Sequence, residues 1–364
     1  MKPLQQLRSV GQSLWLDQIT RELLDDGTLD RYIREFGITG LTSNPTIFEG
    51  AIGGGPSYDA DILRLARMGK SGDAIFLDLA IADLRRAADL FRPENEATRG
   101  LDGWVSLELS PLLAADTKGS IAAAERIHRE AGRANLFIKI PGTPQGEGAI
   151  EESIFRGIPI NVTLLFSREQ YLAAAEAYMR GIERRIAAGR DPRVASVASL
   201  FVSRWDRAVV QSVPDSLRNR LGIAIAQRTY RAYRELLDSP RWQRLASAGA
   251  MPQRLLWAST GNKDPQAPET LYVEALAAPD TINTLPEKTL HAMAEHGSVG
   301  KIMDPEGGDA EKVLAQFASA GIHADELAGQ LQREGAAAFV NSWNGLMQSI
   351  ADKGGALARP AKRA

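Results

Sequence analysis

Short apolar runs alternate with helical stretches along this sequence, and that alternation restricts the fold more than any other feature. The runs span residues 13–17, 38–44, 104–109, 136–140, 160–166, 194–202, 254–260 and 280–286. Helical periodicity covers residues 21–36, 57–91 with a break at 69–72, 117–132, 147–157, 167–188, 205–237, 311–318 and 324–350. This order predicts a parallel sheet whose strands are joined by right-handed helical crossovers.

Eight strand-like runs match the number that closes a (β/α)8 barrel, and 364 residues suit that fold with insertions. The alternative is an open, doubly wound sheet. No run is followed by a Gly-x-Gly-x-x-Gly or a phosphate-loop motif, which disfavours this alternative. We therefore predict an α/β fold, a (β/α)8 TIM barrel, as a single domain over residues 1–364. A C-terminal helical extension is expected at about 305–353, with a flexible tail at 354–364.

Charge and composition disfavour several classes of function. The chain has 43 Lys and Arg against 45 Asp and Glu, so it lacks the basic excess that favours nucleic acid or anionic membrane. Residues 1–8 lack the apolar core of a signal peptide, and no apolar run reaches the length of a membrane span. Cysteine is absent, which excludes disulfides and thiolate chemistry. We expect a cytoplasmic enzyme that binds neither nucleic acid nor membrane.

The run at 136–140 places one lysine, Lys139, among apolar residues and is stopped by Pro-Gly. Such a run is typical of a short buried strand. Burial disfavours a charged amine unless it is paired, and a neutral amine is the nucleophile that Schiff-base chemistry needs. The alternative for a lone lysine is a side chain that extends from the strand end to water.

Polar residues lie late in several other runs, before a turn signal. On one face of each run the polar residues are Asp17 in the first, Thr42 and Asn44 in the second, Ser106 and Glu108 in the third, Lys139 in the fourth, and Asn161 and Thr163 in the fifth. Side chains alternate along a strand, so each set can point into the barrel together. Each residue alone also fits an internal network, for example Lys139 paired with Glu108 or Asp17. Five strands with polar groups at one C-terminal mouth favour a functional site.

Two segments that contain these residues resemble the transaldolase family of Schiff-base aldolases. Residues 40–48, Gly-Leu-Thr-Ser-Asn-Pro-Thr-Ile-Phe, resemble the first family motif. The second motif is matched by Ile-Lys-Ile-Pro at 138–141 and Ile-Asn-Val-Thr-Leu-Leu-Phe-Ser at 160–167. The resemblance extends from Trp15 to about Leu290, and the C-terminal extension is similar to that of the larger bacterial members. It implies the (β/α)8 fold and a reaction that needs no cofactor or metal.

The resemblance also implies a reaction. A dihydroxyacetone unit would pass from sedoheptulose 7-phosphate to glyceraldehyde 3-phosphate, giving erythrose 4-phosphate and fructose 6-phosphate in the non-oxidative pentose phosphate pathway. Lys139 would form the Schiff base, and Asp17 would act as general base. Glu108 would shuttle protons through a water held by Thr163.

Further residues are expected to bind the sugar phosphates. The resemblance assigns the hydroxyls of the dihydroxyacetone unit to Asn44, Asn161 and Ser199, the phosphate to Arg204 and Ser259, and the pocket wall to Phe201. Some family members have an arginine soon after the serine matched by Ser259. This chain has Thr-Gly-Asn-Lys at 260–263 instead, so Lys263 is expected to act there as a point charge.

Three other functions stay open. A simple aldolase that forms or cleaves fructose 6-phosphate uses the same chemistry, although the pair of Glu108 and Thr163 favours a transferase. A metal-dependent aldolase or isomerase needs histidine and carboxylate ligands that converge on one ion, and all four histidines lie outside the strand-like runs. A sugar-phosphate-binding protein without catalysis would not need Lys139, Asp17 and Glu108 together.

The sequence leaves the oligomeric state open between a monomer and a homodimer. Ala- and Leu-rich faces of the C-terminal helices lead us to expect that these helices pack outside the barrel and support a dimer.

Overall fold

The computed structural model describes residues 2–358, and within them eight parallel strands form a closed barrel in chain order. The strands are β1 (Ser13–Leu16), β2 (Gly40–Leu41), β3 (Trp104–Glu108), β4 (Leu136–Pro141), β5 (Ile160–Leu165), β6 (Ser196–Phe201), β7 (Gln253–Ala258) and β8 (Thr281–Leu285). This arrangement confirms the predicted TIM barrel and excludes the open doubly wound sheet.

Helices connect the strands and extend beyond the last one. In the described part of the chain they are α1 (Pro3–Ser9), α2 (Arg21–Asp25), α3 (Thr28–Phe36), α4 (Pro45–Gly53), α5 (Asp59–Arg67), α6 (Gly72–Ala97), α7 (Thr117–Ala131), α8 (Pro144–Arg156), α9 (Arg168–Ala187), α10 (Ser203–Val209), α11 (Leu221–Asp238), α12 (Pro240–Ser247), α13 (Leu271–Ala275), α14 (Glu287–His296), α15 (Ala310–Ser319) and α16 (Ala324–Ala358). None of these helices combines the length and apolar character needed to cross a membrane.

Helix boundaries follow local signals in the sequence. The Ser167 side chain accepts a hydrogen bond from the Gln170 amide at 3.2 Å and caps α9, as predicted. The predicted break at 69–72 separates α5 from α6. The final turns of α6 extend to Ala97, past the expected end at residue 91.

Aromatic side chains fill the N-terminal half of the barrel. The rings of Trp104 and Phe137 stack with centroids 4.1 Å apart, and Trp15 lies 6.2 Å from Phe137. The Trp15 indole donates a hydrogen bond to Asp102 at 2.8 Å. A side chain at Gly40 would lie 2.6 Å from the Trp104 carbonyl oxygen and 2.7 Å from the Trp15 ring, so only glycine fits there. This layer closes the barrel below the polar residues.

Strand register brings the polar residues of the C-terminal half together. Glu108 pairs with Lys139, which pairs in turn with Asn161, and Pro141 pairs with Thr163. Side chains at paired positions of neighbouring strands point to the same face, so these polar groups share the barrel interior.

The pairing of β5 with β6 contains one irregularity, which we call the β5 bulge (residues 163–164). The register shifts between Val162 and Leu165. Leu164 adopts φ 59°, in the left-handed region that is unfavourable for a leucine. The bulge lies directly at Thr163, one of the predicted site residues.

The last helix covers the C-terminal mouth of the barrel. Helix α15 packs outside the barrel against α11, whereas α16 crosses the C-terminal mouth and contacts α4, α5, α6 and β5. Trp343 of α16 meets Phe76 edge to face at 5.2 Å, which fixes the helix to α6. Residues 354–358 of the predicted tail continue α16, and residues 359–364 lie outside the described residues. The homodimer stays a prediction.

Candidate active site

A cavity of about 100 Å³ lies at the C-terminal mouth, beneath α16. Most of the predicted site residues line it: Asp17, Asn44, Lys139, Thr163, Ser199, Phe201, Arg204 and Ser259. They lie in or shortly after six different strands, and Arg204 is in the first turn of α10. A barrel concentrates its active sites at this face because every strand ends there.

Lys139 carries the only amine among the residues described as lining this cavity. Its side chain is 6 % exposed, and Nζ donates a hydrogen bond to the Ser43 carbonyl oxygen at 3.0 Å. Nζ also lies 3.0 Å from Glu108 Oε2, an ion pair whose angles fall outside those of a hydrogen bond. The amine is therefore held by one hydrogen bond and one ion pair, and the carboxylate of that pair lies within proton-transfer distance.

Glu108 is buried behind Lys139. It borders an adjoining apolar cavity formed with Phe76, Leu113 and Trp343 rather than the cavity that Lys139 lines. Burial raises the pKa of Glu108, and the opposite charge of Lys139 offsets part of that rise. A carboxyl group in this environment carries a proton at a higher pH than a solvated glutamate, which suits a proton shuttle.

Asp17 directly follows β1 and is held by a pair of hydroxyls. Thr42 donates a hydrogen bond to Asp17 Oδ1 at 2.8 Å. The Thr42 oxygen lies 2.7 Å from the Thr284 hydroxyl. Because Thr42 donates its own proton to Asp17, it accepts a hydrogen bond from Thr284, so the two hydroxyls form a chain that ends on the carboxylate. Burial raises the pKa of Asp17, while the hydrogen bond from Thr42 and the charges of Lys139 and Arg204 lower it.

Asn161 lies below the cavity, and both its amide nitrogen and its amide oxygen form hydrogen bonds. Ser199 donates a hydrogen bond to Asn161 Oδ1 at 2.7 Å, and Asn161 Nδ2 donates to the Ser106 hydroxyl at 3.1 Å. Asn44 lines the cavity, and its Oδ1 accepts a hydrogen bond from the Ile47 amide at the start of α4. The Thr163 hydroxyl is buried and has no hydrogen-bond partner among the described residues, so it is available to a substrate or a water.

Arg204 places a cation at the edge of the cavity. Its guanidinium lies 4.9 Å from the centre of the Phe201 ring and 5.8 Å from that of Phe339 in α16. Burial lowers the pKa of Arg204, and the carboxylates of Glu108 and Asp17 partly compensate. No ion pair or hydrogen bond of the Arg204 side chain is found within the described residues.

Ser259 lies beside Arg204 in a strained conformation. Its φ is 57°, and its hydroxyl lies 3.0 Å from the Ser203 hydroxyl. A partly buried cation next to hydroxyl groups is suited to binding a phosphate.

Lys263 is not brought into the cavity. It lines a separate groove of about 320 Å³ together with Arg207 and Arg218. Ser203 borders this groove and also contacts Ser259, so the two regions are neighbours. The phosphate-binding role of Lys263 stays a prediction.

The structure adds groups that the sequence analysis did not assign to the site. Thr284 is a polar residue late in the eighth run, as the other site residues are in their runs, and that position could have indicated it. The Ser43 carbonyl and Phe339 had no such signal, because one is a backbone group and the other lies in a helix distant in sequence.

Comparisons with known proteins agree with this geometry. A profile of the family described as Transaldolase/Fructose-6-phosphate aldolase matches residues 14–350. The chain is 44 % identical to a protein named Transaldolase from Parafrankia sp. (strain EAN1pec), over 98 % of this chain and 99 % of the relative. It is 40 % identical to Transaldolase 2 from Nostoc punctiforme, over 96 % of both chains. A Transaldolase from Thiobacillus denitrificans is 44 % identical, over 94 % of this chain and 97 % of the relative. The chain therefore belongs to the transaldolase/fructose-6-phosphate aldolase family of enzymes.

Proposed function

We propose that this chain is a transaldolase that moves a dihydroxyacetone unit from sedoheptulose 7-phosphate to glyceraldehyde 3-phosphate through a Schiff base on Lys139. The observation that carries the proposal is the buried Lys139 amine, 3.0 Å from Glu108 Oε2, in a cavity also lined by Asp17. The names of its relatives support the same activity. The reaction would belong to the non-oxidative pentose phosphate pathway in the cytoplasm.

The first step forms the Schiff base. The Lys139 amine attacks the ketone carbon, and the oxygen takes a proton to give a carbinolamine. Loss of that oxygen as water leaves an iminium bond between Nζ and the sugar. Glu108 would accept the proton that the amine releases and return one to the departing hydroxyl. The unpartnered Thr163 hydroxyl would hold the water that carries these protons.

The second step breaks the carbon–carbon bond. Asp17 would take the proton from the hydroxyl next to that bond, and the new carbonyl leaves as the aldehyde product. The bonding electrons move into the iminium and give an enamine that stays on Lys139. A second aldehyde then accepts these electrons, and the steps run in reverse. Keeping the enamine out of water until the acceptor arrives distinguishes transfer from hydrolytic release.

Arg204 and Ser259 would bind the phosphate. The guanidinium has no ion partner in the described residues, so an arriving phosphate displaces no internal salt bridge. The aromatic faces of Phe201 and Phe339 hold the guanidinium plane in place. Asn44 and Ser199 line the cavity nearer Lys139 and would bind the hydroxyls of the three-carbon unit.

A simple fructose 6-phosphate aldolase is the second candidate, because the family description includes that activity. The two functions predict different products from fructose 6-phosphate alone. A transferase releases about one equivalent of glyceraldehyde 3-phosphate and then stops with the enamine bound. A simple aldolase releases glyceraldehyde 3-phosphate continuously, together with free dihydroxyacetone.

The test is to add erythrose 4-phosphate as acceptor and to follow all products. We expect continuous formation of sedoheptulose 7-phosphate and glyceraldehyde 3-phosphate, at a rate that EDTA does not change. Continuous release of free dihydroxyacetone, without sedoheptulose 7-phosphate, would assign the chain to the simple aldolases. Loss of activity in EDTA would instead indicate a metal-dependent reaction.

A further inference from the structure

We infer that Gln332, in the helix that crosses the barrel mouth, is a positioning residue for Schiff-base formation on Lys139. The inference rests on the proposed function and extends it to a helix that supplies none of the proton-transfer groups. Gln332 is half-buried and does not line the cavity, so any effect it has on the reaction passes through other residues.

One amide group of Gln332 ties two strands together. Its Nε2 donates a hydrogen bond to the Gly142 carbonyl oxygen at 2.9 Å and another to the Leu164 carbonyl oxygen at 3.0 Å. Gly142 directly follows β4, three residues after Lys139, and Leu164 directly follows Thr163 in β5. A single side chain thus fixes the backbone next to the amine and next to the hydroxyl that would hold its water.

The backbone at this point needs an external support. Leu164 is in the left-handed conformation, and the β5 bulge interrupts the regular pairing with β6. Such conformations persist where surrounding contacts hold them in place. The Gly142 amide donates to the Thr163 carbonyl oxygen at 2.8 Å, so the two strand ends are also joined directly. Gln332, on the solvent side, donates two more hydrogen bonds to the same junction between the ends of β4 and β5.

Gln332 acts as part of a rigid helix face. Positions 332, 335 and 339 lie on one side of α16, at the spacing of one and two helical turns. Gly335 brings the helix close to Leu164 and Arg204, and Phe339 covers the Arg204 guanidinium. Further along the helix, the Lys353 amine pairs with Asp59 at 2.6 Å. These contacts fix the helix along its length. The Gln332 side chain therefore has a defined position relative to the β5 bulge.

The Thr163 hydroxyl is the group whose position depends most on this junction. It has no hydrogen bond of its own among the described residues, so only the backbone sets its position relative to Lys139. A displacement of about 1 Å in a reacting group can cost roughly 100-fold in rate. Loss of the two hydrogen bonds should therefore slow the formation of the Schiff base more than it weakens binding of the sugar phosphate.

The experiment compares three variants of the full chain. Gln332→Met removes both donors at similar volume, Gln332→Lys keeps a donor for the two carbonyls, and Gln330→Met is the matched control on the exposed side of the same helix. The measurements are the rate of borohydride-trapped adduct formation with fructose 6-phosphate, KM, and hydrogen exchange of the peptide 160–167. We expect Gln332→Met to lower the trapping rate roughly 10- to 100-fold with little change in KM. The same variant should speed exchange in that peptide, and Gln332→Lys should recover much of the rate.

The outcomes separate this inference from the proposed function. If the wild-type protein forms adduct and Gln332→Met forms it at the same rate, Gln332 has no positioning role and the proposed function stands. If Gln332→Met loses activity only in proportion to the protein that unfolds, the residue is merely structural and the inference is equally wrong. A wild-type protein that forms no adduct would refute the proposed function and this role with it.

Discussion

Two buried carboxyl groups, Asp17 and Glu108, control proton transfer in the proposed reaction. Burial raises the pKa of both, and the charge of Lys139 offsets part of each rise. Asp17 also receives a hydrogen bond from Thr42, which favours its charged form. A general base must be deprotonated to act, so activity should rise with pH as Asp17 ionises.

Replacing Thr42 should move that rise in activity to higher pH. Thr42→Val removes the hydrogen bond that lowers the pKa of Asp17, so the carboxyl group of the variant ionises at a higher pH. The acidic limb of the profile of kcat/KM against pH is therefore expected to shift toward alkaline values. The measurement is that profile for the wild type, Thr42→Val and Thr42→Ser.

Thr42→Ser is the matched control, because it keeps the hydroxyl and should keep the acidic limb in place. An acidic limb that stays fixed in Thr42→Val would show that Asp17 is not the group whose ionisation limits the reaction.

Helix α16 approaches the site closely because one of its residues has no side chain. A Cβ at Gly335 would lie 2.9 Å from Leu164 Cδ2 and 3.0 Å from an Arg204 nitrogen. Contacts this short force either the helix or the arginine to move. The position therefore links the packing of the helix to the orientation of the predicted phosphate-binding residue.

Gly335→Ala should weaken phosphate binding although alanine favours a helix. We expect KM for fructose 6-phosphate to rise roughly tenfold, since a displacement that costs about 1.4 kcal/mol changes affinity by that factor. Gly329→Ala is the control, because a Cβ there meets only the flexible Arg333 side chain of the same helix, at 3.3 Å. Steady-state kinetics of the two variants give the comparison. Equal KM values would mean that Arg204 does not contribute to phosphate binding or that its position tolerates the added methyl group.

The barrel as a whole could be predicted from the sequence because its periodicities are local. Several runs alternate apolar and polar residues, and that alternation alone places Lys139, Glu108 and Asn161 on the interior face. The run at 38–44 shows the limit of this reasoning. Only Gly40–Leu41 pair as a strand, because the residues that follow leave the ladder to form the mouth and the start of α4.

Two features of the molecule could not be predicted from pattern alone. The periodicity of residues 324–350 indicates a helix with a buried face, but it does not say which surface that face covers. The sequence therefore predicted that the C-terminal helices pack outside the strand barrel, but not that α16 crosses its mouth. The left-handed conformation of Leu164 is set by tertiary contacts, since a Thr-Leu-Leu segment carries no turn signal. Both features meet at the β5 bulge, where Gln332 bonds the Leu164 carbonyl.

The measurement that tests the central claim most directly is borohydride reduction of the protein with fructose 6-phosphate, followed by peptide mass spectrometry. We predict a three-carbon adduct on the peptide that contains Lys139, absent in Lys139→Met and retained in Lys312→Met, a control at an exposed lysine of α15. An adduct on a different lysine, or none in the folded wild-type protein, would contradict the assignment of Lys139 as the residue that carries the dihydroxyacetone unit.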